Sequence, residues 1–197
     1  LHFTIHSFPT RRSSDLTYVT NTRIQQGPND LTSFSDEMLE KGYEPSSKVL
    51  KATKVKSDER ISNILELEKG EEVFNIERLR LADASPMGIQ KAHLPATHFP
   101  NLLEKDLSGS LYEILSEEYG VSPALATENY RATLLDEHEL ELLEPPQDPF
   151  VGFIVERKTY SKEESPIEFV ESVMRGDRYE VSVDLSRKEF IREGALR

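Results

Sequence analysis

The sequence contains no cysteine, which excludes both a disulfide framework and a thiolate metal site. It also lacks any run near the roughly 18 apolar residues of a membrane span, and it has no signal-peptide core. Basic residues are scarce: 24 Lys and Arg against 36 Asp and Glu give a net charge of −12, which argues against a nucleic-acid surface. What remains, 37% hydrophobic and 30% charged over 197 residues, is typical of one globular core of about 150 residues plus a tail.

No catalytic constellation is present either. The five histidines are His2, His6, His93, His98 and His138, and none belongs to a metalloprotease motif. The chain has no nucleophile elbow and no glycine-rich phosphate loop. We therefore predict a protein that is not an enzyme, with no catalytic residue, no metal ligand and no cofactor. His93 is expected to have a structural role at the end of a strand.

The most informative stretch is Ile76–Pro95, which predicts a strand, a tight turn and a returning strand. Its period-2 alternation places Arg78 and Arg80 on one face, about 7 Å apart. Two neighbouring guanidinium groups can bind a phosphate or a carboxylate. The alternative is that both arginines are surface residues paired with acidic neighbours.

Four helices are predicted from capping chemistry. They begin at Ser33 or Ser35, at Ser57-Asp58, at Ser110 with Gly120 as the stop, and at Asp136. Strands are predicted over residues 48–55, 73–82, 87–94, 123–135, 149–160, 166–175 and 179–185.

One pattern occurs twice: a helix ending in leucine, a strand with Glu-Arg, then Ser-Pro and another strand. The first copy has Glu77-Arg78 and Ser85-Pro86, and the second has Glu156-Arg157 and Ser165-Pro166. Two copies are too few for a solenoid. They favour an α+β fold in which helices pack on one antiparallel sheet built from two related halves.

Several segments together resemble one family. They are Arg78–Asp83 with Ser85–Gln90 and His93–Pro95, Leu31–Met38 with Gly42 and Pro45, Ser110–Tyr112, Glu156–Tyr160 with Ser165-Pro166, and Ser172–Tyr179. In this order, over residues 17–187, they resemble the UTRA domain, the effector-sensing domain of HutC-type regulators in the GntR family of bacterial transcription factors. The resemblance implies the chorismate-lyase-like fold, a cytoplasmic repressor-type regulator, and a homodimer formed through this domain.

The resemblance also implies a binding site. Arg78, Ser110 and Tyr112 match positions that hold a phosphate, and Arg80 adds a second cation. A helix beginning at Ser110 would offer free N–H groups and a favourable dipole to an anion. Ser33, Phe34 and Ser35 match the mouth of the pocket, and Glu168 matches an acceptor for ligand hydroxyl or amine groups. Gln90 stands where the family often has Glu. The expected effector is a small anionic metabolite, most plausibly a sugar phosphate.

The predicted organisation has four segments. Residues 1–16 resemble a translated sequencing adapter, the alternative being a natural basic arm that touches DNA. Residues 17–30 resemble the end of a winged-helix domain and its linker, residues 31–188 form the sensing domain, and residues 189–197 are a tail. DNA binding is therefore expected only of a longer regulator that carries the winged helix. Two alternatives stay open: an enzyme resembling chorismate lyase, and a truncated fragment without a regulatory function.

Overall fold

The computed structural model describes residues 31–146 and 150–182, together with the backbone of residues 24–26. The predicted segment 1–16 and the tail 189–197 lie outside the described residues, as does most of the segment 17–30. None of the helices in the described part is long and apolar enough to cross a membrane. The helices are α1 (Phe34–Glu40), α2 (Glu59–Leu65), α3 (Leu111–Tyr119) and α4 (Glu137–Leu143), with a 3-10 turn at Leu102–Glu104. The strands are β1 (Ile24–Gln26), β2 (Pro45–Lys56), β3 (Glu72–Ala82), β4 (Ser85–Pro95), β5 (Leu125–Leu134), β6 (Val151–Tyr160), β7 (Pro166–Arg175) and β8 (Tyr179–Val181).

The four helices begin where the cap residues predict. Ser33 and Asp136 each form a reciprocal capping box, with Asp36 and Glu139 respectively. Asp58, rather than Ser57, caps α2 by accepting from the backbone N–H of Ile61, and Ser110 caps α3. Gly120 ends α3 at φ +66°, a left-handed conformation that glycine adopts without strain.

The main sheet is antiparallel, with the strand order β2-β3-β4-β7-β6-β5. This order is symmetric about the β4–β7 pair. The first half runs α1-β2-α2-β3-β4 and the second runs α3-β5-α4-β6-β7. The predicted α+β fold is confirmed, and the pattern that occurs twice in the sequence corresponds to these two halves.

The two halves meet closely at Gly88 of β4. A Cβ atom at this position would lie 2.3 Å from the Met174 sulfur and 2.8 Å from the Val173 carbonyl oxygen, both on β7. Such contacts are too short for a side chain, so glycine allows the central strands to pair here.

The helices cover both faces of the sheet. On one face, α3 and the 3-10 turn bury the largest core against Phe74, Ile76, Ala92 and Leu94. A second cluster on this face contains Met38 of α1 with Met87, Met174 and Tyr179. On the opposite face, α2 packs on Val73 and Phe169, and Leu143 of α4 packs on Leu79 and Ile89. Because α1 and α3 lie on the same face, their N-termini can border one cavity.

The largest differences from the predicted strands concern β2 and β1, whereas the other strand ends lie within two residues of the prediction in the described part of the chain. β2 begins at Pro45 and not at residue 48, because its first residues pair with the end of β3. Ile24–Gln26, inside the predicted linker, forms the short strand β1 in a parallel pair with β8. Local sequence does not indicate this pair, since its partners are more than 150 residues apart.

Candidate functional site

A cavity lies between the sheet and the N-termini of α1 and α3. It encloses about 650 Å³, counting its mouth, which opens to solvent. Eight of the nine residues predicted for the site line it: Ser33, Phe34, Arg78, Arg80, Gln90, Ser110, Tyr112 and Glu168. The ninth, Ser35, does not line it but accepts a hydrogen bond of 3.3 Å from Arg80 Nη2. The structure therefore brings the predicted residues together.

Arg78 forms one wall of the cavity and is only 2% exposed. Its Nη1 donates to the carbonyl oxygens of Leu107 and Gly109, at 3.3 and 3.1 Å, and its Nη2 donates to Gln90 Oε1 at 2.7 Å. Its buried Nε has no partner in the described part of the chain. Burial lowers the pKa of Arg78 to about 10, although Glu168 opposes the shift. All the acceptors are neutral, so its positive charge lacks a bonded counter-ion.

Arg80 lies beside Arg78 on the same face of β3 and is also 2% exposed. Its guanidinium carbon stacks 4.3 Å from the centre of the Phe34 ring. Nε and Nη1 are buried without a partner among the described residues. Burial, together with the charge of Arg78, lowers the pKa of Arg80 well below its usual value. An anion bound in the cavity would favour the charged form of Arg80 and so oppose the lowering of its pKa by burial and by Arg78.

The N-termini of α1 and α3 meet at the end of the cavity that contains Arg78 and Arg80. Ser110 Oγ donates to Ser33 Oγ over 3.4 Å, and each serine is the N-cap of its helix. Unsatisfied N–H groups and the helix dipoles add positive potential next to the two arginines.

A chain of hydrogen bonds forms the other wall. Arg157 Nη1 donates to the Tyr112 hydroxyl at 3.5 Å, Tyr112 and Thr159 hydroxyls lie 3.1 Å apart, and Thr159 donates to Glu168 at 3.3 Å. Burial raises the pKa of Tyr112, which keeps the phenol neutral. Burial also raises the pKa of Glu168, while Arg157 and Arg78 oppose the shift. The cavity thus has a cationic end at β3 and a hydrogen-bonding end at Glu168.

Sequence reasoning missed three charged residues that line the cavity: Glu37, Glu128 and Arg157. Arg157 Nε donates to Glu128 Oε1 at 2.5 Å, and its Nη1 donates to the Thr32 carbonyl at 3.1 Å. The sequence did hold a signal for Arg157. The Glu156-Arg157 pair of the second half repeats the Glu77-Arg78 pair of the first half. Arg157 is therefore the residue of the second half that is equivalent to Arg78.

His93 lies on the opposite face of the sheet from the cavity. It stacks on Phe169 with ring centres 6.3 Å apart, and burial lowers its pKa. No group of three or more acidic or histidine side chains suited to a metal occurs in the parts of the chain described.

The model of the UTRA domain family matches residues 40–180. The chain belongs to the UTRA domain family. The transcriptional repressor NagR of Bacillus subtilis is 27% identical over 163 residues, which cover 83% of this chain and 67% of NagR. The mannosyl-D-glycerate transport/metabolism system repressor MngR of Escherichia coli is 22% identical over 181 residues, 87% of this chain and 71% of MngR. The effector domain of PhnF from Mycobacterium smegmatis superposes with a TM-score of 0.77 at 24% identity, covering 83% of this chain and all of that domain.

These relatives confirm the resemblance drawn from the sequence. UTRA domains with this fold are effector-binding domains of GntR-family transcriptional repressors, and the chain is such a domain. The prediction that it is not an enzyme is confirmed by the relatives, which are repressors. The alternative of a chorismate-lyase-like enzyme is not supported by them.

Proposed function

We propose that this UTRA domain binds a small anionic metabolite, a phosphorylated sugar, in the cavity between α1, α3 and the sheet. One observation carries the proposal: Arg80 is buried with its Nε and Nη1 unpaired among the described residues, beside Arg78, which bonds only neutral acceptors. A buried cation without a counter-ion is costly, and a bound anion offsets that cost. The planar guanidinium group of arginine can donate two parallel hydrogen bonds to a phosphate or carboxylate group.

The opposite end of the cavity supports a sugar as the rest of the molecule. Glu168, Thr159 and Tyr112 offer acceptors and hydroxyl groups along one wall, which can bond the hydroxyl groups of a sugar. MngR, a relative, is named for a system that handles mannosyl-D-glycerate, a sugar derivative with a carboxylate group. The name of this relative and the polar wall of the cavity both support a ligand that joins an anionic group to a sugar.

Binding in this domain would control DNA binding by the complete regulator. A ligand shifts a conformational equilibrium only by its difference in affinity for the two states. We propose that the domain forms a homodimer and that the ligand favours one arrangement of its two copies. DNA would be bound by the winged-helix domain of a longer chain, resembling the repressors to which this chain is similar.

A thermal-shift screen with matched ligands tests this proposal. Each sugar phosphate is compared with the same sugar without phosphate and with a sugar acid. A ligand present at 100 times its Kd should add about 2.7 kcal/mol to the free energy of unfolding. We expect the phosphate esters to raise the Tm and the neutral sugars to leave it unchanged.

Two variants show whether the ligand binds in the cavity or elsewhere on the surface. Arg80→Ala should abolish the shift, because it removes an unpaired cation of the cavity. Arg60→Ala is the control, because Arg60 bonds Glu156 and Glu171 on the opposite face of the sheet. Equal shifts in Arg80→Ala and in the unmodified chain would refute the site.

A further inference from the structure

Glu168 is a buried carboxyl group that forms no ion pair with any residue in the described part of the chain. It lies on β7 and is only 3% exposed. The Thr159 hydroxyl donates to Glu168 Oε2 over 3.3 Å, and the charges of Arg157 and Arg78 act on the carboxyl group without a direct ion pair. Burial without a paired cation disfavours the charged form of a carboxyl group.

The other acidic side chains of the cavity differ from Glu168 in this respect. The charged or titratable side chains that share the cavity with it come from the surrounding elements: Glu37 of α1, Arg78 and Arg80 of β3, Tyr112 of α3, Glu128 of β5 and Arg157 of β6. Glu37 is paired with Lys41, and Glu128 is paired with Arg157, each over 2.5 Å. Glu168 is therefore the one acid of the cavity that lacks an ion pair among the described residues.

The cations of the cavity show the complementary pattern. Arg157 is already paired with Glu128. Arg78 bonds only neutral acceptors, and Arg80 donates to the neutral Ser35 hydroxyl. Without a ligand, the charges of Arg78 and Glu168 therefore support each other across the cavity, since each favours the charged form of the other.

An anion bound to the two arginines would remove this support from Glu168. Its negative charge offsets the field of Arg78 and lies in the same partly desolvated cavity as the carboxylate. Two negative charges that share a buried site do not both stay ionised, and the site takes up a proton. Because Glu168 has no paired cation, its carboxylate is the group that becomes protonated.

We propose that Glu168 takes up a proton when an anion binds to Arg78 and Arg80, so that the ligand contacts a neutral carboxyl group. This inference rests on the anion site proposed above and adds a role for Glu168. A neutral carboxyl group can donate a hydrogen bond, whereas a carboxylate can only accept one. The Glu168 end of the cavity would then bind an oxygen that carries no hydrogen, and the anion would bind more tightly as the pH falls.

Sulfate is a suitable probe, because it is a tetrahedral dianion that does not titrate between pH 5 and 8. Its Kd for the full chain follows from the rise of Tm with sulfate concentration at each pH. The rise measured for Arg80→Ala is subtracted, because it gives the general effect of the salt on stability. We expect the Kd to increase by up to about tenfold per pH unit as the pH rises through the range in which Glu168 titrates.

Two variants show which group is responsible. Glu168→Gln replaces the carboxyl group by a neutral side chain, so its Kd for sulfate should be the same at every pH and lower than that of the unmodified chain at pH 8. Glu37→Gln is the matched control, because Glu37 is also a buried acid of the cavity with a pKa raised by burial, but it is paired with Lys41. This variant should keep the pH dependence. A dependence that persists in Glu168→Gln, or that disappears in Glu37→Gln, would overturn the role of Glu168.

Proton uptake can also be measured without thermal unfolding. Sodium sulfate is added to unbuffered solutions of the full chain that have been adjusted to pH 6, 7 and 8. We expect the pH to rise in at least one of them. Sodium chloride at the same ionic strength should cause no rise, and neither should sulfate added to Glu168→Gln.

The outcomes separate the two proposals. If sulfate shows no binding that depends on Arg80 at any pH, the anion site is wrong and so is the role of Glu168. If sulfate binds through Arg80 but its Kd is constant and no proton is taken up, the anion site stands and the role of Glu168 is wrong.

Discussion

Ser33 Oγ and Ser110 Oγ lie 3.4 Å apart, so the N-caps of α1 and α3 are in direct contact although 77 residues separate them in the chain. The two serines occupy equivalent positions in the two halves, since each caps the helix before the first strand of its half. The positive ends of two helices therefore meet at the arginine end of the cavity.

Loss of the Ser33 cap should destabilise the protein. Ser33 Oγ accepts from the Asp36 N–H at 3.1 Å and donates to the Asp36 carboxylate at 2.6 Å. We expect Ser33→Ala to lower the free energy of unfolding by about 1 kcal/mol. Ser33→Thr, which retains the hydroxyl, should stay within a few tenths of the unmodified value. Urea denaturation measures both, and equal stabilities of the Ala and Thr variants would contradict the role of the cap.

Removal of Arg78 should weaken ligand binding by about 2–5 kcal/mol, the usual cost of removing one partner from a desolvated charge pair. Arg78→Lys should also bind more weakly, because an ammonium group cannot replace the planar fork. Calorimetry with the best ligand of the screen measures both changes. Undiminished affinity in Arg78→Ala would show that Arg78 does not contact the anion.

Arg78→Ala should also change the stability of the protein without ligand. Arg78 bonds Leu107 and Gly109, which lead into α3, and Gln90 on the neighbouring strand. Arg78→Ala leaves these acceptors unpaired but relieves a buried cation, so the two effects oppose each other. We expect a small change in Tm, and a large loss would indicate a mainly structural role.

Glu168 should make the protein less stable as the pH rises. Burial raises its pKa in the folded state, so the folded protein binds more protons than the unfolded chain above the ordinary pKa of 4.5. Stability therefore falls as the pH rises from about 4.5 through the raised pKa. Glu168→Gln keeps an acceptor for Thr159 and removes this titration. The variant should gain stability over the unmodified protein as the pH rises from 5 to 8, and a constant difference across that range would contradict the argument.

His93 should contribute a slope of the opposite sign. Its pKa is lowered by burial, so below about pH 6.5 the unfolded chain binds the proton more readily than the folded protein. Stability is lost as the pH falls from that value. His93→Phe, which retains an aromatic contact with Phe169, should reduce the loss between pH 6.5 and 5, as thermal melts can measure. An unchanged slope would mean that His93 is not the responsible group.

Deletion of residues 1–16 should leave the Tm unchanged within about a degree. The segment resembles a translated sequencing adapter and has no helical or strand periodicity, and chain termini without such patterns carry few contacts. A drop of several degrees in a calorimetric scan would show that it belongs to the fold.

The features that local chemistry determines were predictable. Asp136 and Ser110 cap their helices because a cap needs only its own first turn. The Arg78–Arg80 face followed from the alternation of one strand, and the resemblance to the UTRA domain added the other expected site residues.

The features that depend on distant pairing were not predictable in this way. Arg157 reaches the cavity because β6 follows β7 in the sheet, an order that its own residues do not indicate. The β1–β8 pair and the burial of Glu37 depend on contacts between remote parts of the chain. The repeat of Glu-Arg was the available signal for Arg157, and it required comparison of the two halves.

The symmetric order of the strands has a mechanical consequence. Among the described strands of the main sheet, the two halves are joined only along β4 and β7. Arg78 from one half and Arg157 from the other face the same cavity, on one side of that junction. A molecule that contacts both arginines would therefore hold the two half-domains together across that junction, in addition to the β4–β7 hydrogen bonds.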